Sequence, residues 1–167
     1  MYSISRHLVA FLVSVAFAAQ VSTQTLPGGI VGDAARVVFV CEHGSVKSLV
    51  AASYFNRRAS ERGLPFRAEP RGVRPEREVP AAVREGLLRD GFEISASRPQ
   101  LLTASDLRDA ALVVSFDQDI AKAVHGRTRH LIWDGLPDVL PDYSRGRDAI
   151  VRRVDELIDE LAREIGR

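Results

Sequence analysis

Cys41 is the only cysteine in the chain, and a lysine and a serine, Lys47 and Ser48, follow it after five intervening residues. An apolar, β-branched run ends at the cysteine, and an alanine-rich helical pattern begins by Ser48. A loop of this length between a strand and a helix can turn its backbone N–H groups inward, where they and the helix dipole attract an oxyanion. The same positive field favours the thiolate, which is the nucleophilic form of cysteine. The pattern therefore predicts a nucleophile beside an anion-binding loop.

The residues of this loop each have a part in the predicted site. We expect Lys47 to supply a positive charge and Ser48 to donate a hydrogen bond to the sulfur from the first helical turn. Gly44 can adopt the positive φ that an anion nest requires. The remaining loop positions are expected to contact the oxyanion: Glu42, His43, Ser45 and Val46. The alternatives are that His43 is an exposed loop residue and that Cys41 is a small buried apolar residue.

Apolar periodicity predicts strands that alternate with helices along the rest of the chain. We expect strands at residues 35–40, 66–69, 111–116 and 129–133. We expect helices at residues 48–62, 79–90, 103–108 and 150–165. Such alternation predicts a single α/β domain, a parallel sheet wound on both faces, whose ligand site lies beyond the carboxyl ends of the strands. Cys41 is placed at such an end.

The first residues predict export. Residues 8–19 are an apolar run of about twelve residues, which suits a signal-peptide core and is too short to span a bilayer. We therefore expect a signal peptide over residues 1–19, a flexible leader over 20–33 and a folded domain over 34–167. An uncleaved N-terminal anchor is the alternative. The expected location is a bacterial periplasm, with membrane contact only through the signal peptide.

Composition excludes few classes of function. Lys plus Arg number 23 and Asp plus Glu number 22, so the net charge does not favour a polyanionic partner. The chain has no strongly basic block, and we expect no nucleic-acid binding. Apolar residues make up 46% and charged residues 27%, which is typical of a soluble globular domain. The oligomeric state is not predicted.

The loop from Cys41 to Ser48 resembles the catalytic loop of low-molecular-weight protein tyrosine phosphatases and the related arsenate reductases, whose pattern is Cys, five residues, Arg, and Ser or Thr. The resemblance extends over roughly residues 35–167. Ser45 matches a serine common in the arsenate-reductase branch, and the pair Phe116-Asp117 is also similar to the family. The resemblance implies a four-stranded parallel sheet, a phosphocysteine intermediate, a phosphate or other oxyanion substrate, and neither a metal nor a cofactor.

One departure from the family pattern concerns the loop cation, because Lys47 stands where the family has arginine. A guanidinium grips two phosphoryl oxygens in a fork, whereas an ammonium is a point charge. Contacts to the transition state are more sensitive to this exchange than binding of the anion in the ground state. The lysine therefore predicts reduced turnover.

The general acid is the second departure. The family uses an aspartate followed by proline, in the loop between the last strand and the last helix. Residues 133–146 form that loop here and contain no Asp-Pro pair. Three aspartates are available: Asp134, Asp138 and Asp142. Distance along the chain favours Asp134, with Asp138 second, and the alternative is that all three are solvated or capping residues.

Three functions are consistent with these residues. The first is a phosphatase that hydrolyses phosphomonoesters, either phosphotyrosine or small phosphoesters, with Cys41, Lys47 and Asp134 as its catalytic residues. The second is a non-catalytic protein that binds phosphate or arsenate. The third and least favoured is an arsenate reductase, because the chain has no second cysteine to form a relay disulfide.

Overall fold

The computed structural model of the protein describes residues 34–94 and 96–166. Their centre is a four-stranded parallel sheet with the strand order β2-β1-β3-β4. The strands are β1 (Ala35–Cys41), β2 (Phe66–Gly72), β3 (Leu112–Ser115) and β4 (Arg129–Ile132). The predicted parallel α/β sheet is confirmed. The predicted signal peptide and leader, residues 1–19 and 20–33, lie outside the described residues.

Five helices connect or follow these strands in the described part of the chain. They are α1 (Lys47–Glu61), α2 (Ala81–Arg89), α3 (Ala104–Asp109), α4 (Gln118–Ala121) and α5 (Tyr143–Ile165). Within residues 34–94 and 96–166, no helix is both long enough and apolar enough to cross a membrane.

Two boundaries differ from the sequence prediction by three residues or more, each for a local reason. Helix α5 begins at Tyr143, seven residues before the apolar repeat starts at Ile150, because the Asp142 carboxylate accepts a hydrogen bond from the Arg145 N–H at 3.1 Å and caps the helix. Strand β2 continues through Pro70 to Gly72. A proline is compatible with β2 because β2 is an edge strand and needs ladder hydrogen bonds on one side only.

Alternate residues of β1 face two separate cores. Val37 and Phe39 pack with residues of α1, α2 and α5 on one face of the sheet. Val38 and Val40 pack with residues of α3 and α4 on the other. Because β1 is buried on both faces and paired on both edges, its carboxyl end has little freedom to move. That end is Cys41.

Strand order places a crevice at the same point. From β1 the chain continues to β2 on one side, and β3 and β4 lie on the other side. The connections that leave β1 and β3 therefore diverge, which opens a gap beyond their carboxyl ends. The fold thus places Cys41, the nucleophile predicted from the sequence, at the carboxyl edge of the sheet, where folds of this class bind ligands.

A buried ionic network fixes α3 against β1 and β2. The Asp106 carboxylate accepts hydrogen bonds from Arg36 at 2.7 Å and from Arg71 at 3.0 Å, and it also accepts the Thr103 N–H in a capping box. Burial alone would raise the pKa of Asp106, but these hydrogen bonds outweigh it and lower the pKa to about 2 from an ordinary 3.8. Asp106 is therefore an anion that stabilises the fold.

We expect Asp106→Asn to lower the free energy of unfolding at pH 7 by about 2 kcal/mol, the equivalent of the lowered pKa. In the wild type this stabilisation is complete above about pH 4 and is lost as the pH falls towards 2, because the folded-state pKa lies below the unfolded one. Urea unfolding across this pH range measures both effects. Asp109→Asn, on the exposed side of the same helix, is the control. If the free energy of unfolding of the wild type and of Asp106→Asn fell equally with falling pH, this would contradict the stabilising role assigned to the Asp106 carboxylate.

Candidate active site

The Cys41 sulfur is buried and lies between two polar groups. Its Sγ is 3.0 Å from Ser48 Oγ, and the Gly44 N–H donates to it at 3.2 Å. Ser48 is fully buried in the first turn of α1, so its hydroxyl is held beside the sulfur. A thiolate in this position would accept hydrogen bonds from both the Gly44 N–H and the Ser48 hydroxyl, and such bonds stabilise a thiolate more than a thiol.

The carbonyl groups of the loop are bound from behind by the segment that follows β2. The backbone N–H groups of residues 73, 74 and 76 donate to the carbonyl oxygens of residues 41, 42 and 43, at 3.2, 2.8 and 3.2 Å. In a trans peptide the C=O and the next N–H point in opposite directions. The N–H groups of residues 42, 43 and 44 therefore point away from this segment, and that of Gly44 reaches the Cys41 sulfur. The loop has the polarity that an anion requires.

Close packing of two glycines sets this loop against the end of β2. Gly44 has a φ of +68°, and a Cβ there would lie 2.8 Å from the Gly72 nitrogen. A Cβ at Gly72 would lie 2.7 Å from the Gly44 nitrogen. Sequence reasoning identified the need for glycine at position 44 from its conformation. It missed Gly72, whose role depends on a contact between segments that are distant in the chain.

A pocket of about 430 Å³ opens over the sulfur. Its walls come from the loop after β1, the end of β3 and the segment before α5, and they include Cys41, Glu42, His43, Val46, Lys47, Phe116, Asp117, Asp138, Val139 and Leu140. Among the described residues, no side chain caps the start of α1 and no acidic residue lies in its first turn. The positive end of the helix is therefore available to an anion.

Lys47 and Asp138 form an ion pair in the wall of this pocket. Lys47 Nζ lies 3.0 Å from Asp138 Oδ1. The lysine side chain is 23% exposed, whereas the aspartate side chain is 81% exposed. Because the carboxylate is largely solvated, this ion pair is weak and an oxyanion can compete with it for the lysine.

The sequence model of the low molecular weight phosphotyrosine protein phosphatase family matches residues 36–132. The chain belongs to this family. The resemblance inferred from the loop is therefore confirmed. A search of curated protein sequences gives no significant match.

Solved structures of low sequence identity share the fold. A thioredoxin-dependent arsenate reductase from Corynebacterium glutamicum superposes with a TM-score of 0.68 at 20% identity, covering 81% of this chain and 65% of that one. An arsenate reductase from Archaeoglobus fulgidus gives 0.63 at 23% identity, covering 74% and 98%. The low molecular weight protein tyrosine phosphatase of Streptococcus pyogenes gives 0.64 at 14% identity, covering 76% and 93%. The chain thus spans about two thirds of the C. glutamicum reductase chain.

The three candidate aspartates of this family member lie in different surroundings. Asp138 lines the pocket, and Asp142 caps α5. Asp134 is exposed and absent from the pocket wall, and its carboxylate accepts the N–H of the adjacent Gly135 at 2.8 Å. The chain turns at Gly135, which has a φ of +69°, and meets the pocket at residue 138. The geometry therefore favours Asp138 over Asp134, the reverse of the order expected from distance along the sequence.

Asp117 is a pocket residue to which sequence reasoning gave no role. Its φ of 127° and ψ of 167° lie in a region that costs a non-glycine residue about 1–3 kcal/mol. The carboxylate accepts the Ile120 N–H at 2.9 Å and caps α4. A signal was available, since Asp117 directly follows a buried strand at the carboxyl edge of the sheet.

The other charged loop residues turn towards the surface. Glu42 pairs with Arg74. His43 lies between two carboxylates, with Nε2 3.8 Å from Glu42 and Nδ1 3.8 Å from Glu76. Ser45 is fully buried and donates its hydroxyl to Glu76. Of the four loop residues expected to contact the oxyanion, Glu42, His43 and Val46 line the pocket. The Ser45 side chain instead supports the loop from behind.

We expect Gly44→Ala to be more destabilising than Gly63→Ala. Both glycines have a φ near +65°, so both substitutions incur the left-handed backbone penalty of about 1 kcal/mol. Only Gly44 also meets backbone atoms, since a Cβ at Gly63 has no neighbour within 4 Å among the described residues. Overpacking adds about 1–3 kcal/mol. Urea unfolding of both variants measures the difference, and equal losses would contradict the close packing of Gly44 on Gly72.

Proposed function

We propose that this chain is a cysteine-dependent phosphatase that hydrolyses phosphomonoesters, either phosphotyrosine or small phosphoesters. The observation that carries the proposal is the Cys41 sulfur, which receives the Gly44 N–H and contacts Ser48 Oγ in a pocket that Lys47 also lines. Membership of the phosphatase family supports the same reaction.

The reaction has two steps in this proposal. The Cys41 thiolate attacks phosphorus, so that an S–P bond forms while the bond from phosphorus to the leaving oxygen breaks. Asp138 gives a proton to that oxygen, and Lys47 with the loop N–H groups binds the other phosphoryl oxygens. A water molecule then attacks the phosphocysteine and gives a proton to the Asp138 carboxylate, the S–P bond breaks, and phosphate and the thiolate are released. No metal or cofactor has a part in either step.

Lys47 is proposed to reduce the rate rather than abolish it. A phosphate dianion can displace Asp138 from the lysine, since the carboxylate of this pair is largely exposed. An ammonium then contributes one point charge where a guanidinium would hold two oxygens at once. The loss is greatest in the transition state, where charge on the equatorial oxygens must be matched by fixed donors.

Binding of phosphate or arsenate without turnover is the second candidate. The Lys47–Asp138 pair favours it, because one contact occupies both the loop cation and the candidate general acid. Arsenate reduction is less favoured, since Cys41 is the only cysteine and the electrons must come from an external thiol. Export to a periplasm, proposed on the sequence of residues 1–19, makes such a thiol scarce.

We expect the purified protein to hydrolyse p-nitrophenyl phosphate and Cys41→Ser to have no activity, because a hydroxyl in this setting is a poor nucleophile. Lys47→Arg should raise kcat by about tenfold, because a guanidinium can donate to two phosphoryl oxygens at once in the transition state. Steady-state kinetics and a phosphate-release assay measure both. A silent wild type that gains activity in Lys47→Arg would instead favour the binding function over turnover. Wild-type activity that survives in Cys41→Ser would overturn the mechanism.

We expect the identity of the general acid to be revealed by how strongly the activity of each variant depends on the leaving group. Loss of a general acid costs about 10²–10⁴ in rate when the leaving group is poor and less when it is good. Asp138→Asn should therefore lose far more activity on phenyl phosphate than on p-nitrophenyl phosphate. Asp134→Asn, which removes the same charge from the same loop outside the pocket wall, is the matched control. A selective loss in Asp134→Asn would restore the assignment made from the sequence.

A further inference from the structure

Glu76 contacts the anion-binding loop in two ways. Its backbone N–H donates to the His43 carbonyl at 3.2 Å. Its carboxylate accepts the hydroxyl of Ser45, and a carboxylate oxygen lies 3.8 Å from His43 Nδ1. One residue thus holds the loop on both sides of Gly44, the position with the greatest intrinsic backbone freedom.

We infer that Glu76 is a positioning residue for catalysis, which fixes Ser45 and through it the direction of the N–H groups in the second half of the loop. This inference rests on the proposed phosphatase function. The residues before Gly44 are held by backbone hydrogen bonds from positions 73, 74 and 76. Ser45 is the first residue after Gly44, and its hydroxyl binds Glu76 while no solvent reaches the side chain. The carboxylate therefore orders the passage from the loop into α1.

The negative charge of Glu76 would have the opposite effect on catalysis to that of its hydrogen bond with Ser45. A carboxylate near an anion site repels the bound phosphate and disfavours the thiolate, although its 40% exposure screens that effect. If charge were its main influence, removal of the carboxylate would improve anion binding and activity. If position is its main influence, removal of the hydrogen bond lowers activity. The sign of the effect separates the two roles.

The first test compares Glu76→Ala with Glu76→Gln and Glu78→Ala on p-nitrophenyl phosphate. Glu76→Ala removes the acceptor and should lower kcat about tenfold, the equivalent of one lost charge-assisted hydrogen bond, with little change in KM. Glu76→Gln keeps an acceptor for Ser45 and should retain most of the activity. Glu78→Ala removes an exposed carboxylate two residues away and should match the wild type.

The second test does not require turnover. Cys41 is the only thiol in the chain, so alkylation by iodoacetamide reports on this site alone. Glu76→Ala should be alkylated more slowly than wild type, because the donors that stabilise the reacting thiolate are no longer held in place. Removal of charge alone, or simple opening of the loop, would make alkylation faster.

The outcomes distinguish this inference from the proposed function. Slower alkylation and a fall in kcat that Glu76→Gln restores support the positioning role. Glu76→Ala with the activity and alkylation rate of Glu78→Ala overturns it, even if Cys41→Ser confirms the phosphatase. If the wild type has no activity, the alkylation rates still decide the role of Glu76. If Glu76→Ala does not fold, Ser45→Ala removes the same hydrogen bond from the loop side and must slow alkylation in the same way.

Discussion

The backbone N–H groups of residues 73, 74 and 76 donate to three consecutive carbonyl oxygens of the loop after β1. A trans peptide that turns its carbonyl one way turns its N–H the other way, so these three contacts fix the polarity of the site. The N–H of Gly44 reaches the sulfur only because the His43 carbonyl is held on the far side. Gly72 must lack a side chain for the two segments to come this close.

For the binding of an anion in this pocket, the oriented dipoles of the backbone matter more than the net charge of the side chains. Three carboxylates line the pocket, from Glu42, Asp117 and Asp138, against the single ammonium of Lys47 among the described residues of its wall. Glu42 is paired with Arg74 and Asp138 with Lys47, so the formal charges largely satisfy one another. An anion that enters this pocket is therefore held mainly by backbone N–H groups and the start of α1. Such fixed dipoles need no rearrangement when charge develops in a reaction.

Local patterns in the sequence predicted the parts of the fold that depend on near neighbours. The buried run before Cys41 predicted β1, and the pattern of residues 103–108 predicted the short helix α3. The bonds from Asp106 to Arg36 and Arg71 were not predictable, because they join positions 70 and 35 residues apart. The roles of Gly72 and Glu76 were missed for the same reason, since both depend on contacts with residues that are distant in the chain.

The order of the candidate acids shows another limit of reading along a chain. Asp134 is nearer to the end of β4 in sequence, yet a turn at Gly135 places Asp138 at the pocket. Distance along the chain placed Asp134 first as the candidate acid, whereas Asp138 is the residue of this loop that lines the pocket. Only the path of the backbone in space separates the two residues.

The proline in β2 has a consequence for how molecules of this protein meet one another. Strand β2 is an edge of the sheet, and an exposed edge can pair with a strand of another chain. Pro70 has no N–H to offer such a partner, and charged residues stand beside it in the same strand. The edge is therefore a poor template for aggregation. Since the segment that supports the loop after β1 continues directly from β2, protection of this edge also protects that segment from being drawn into pairing between molecules.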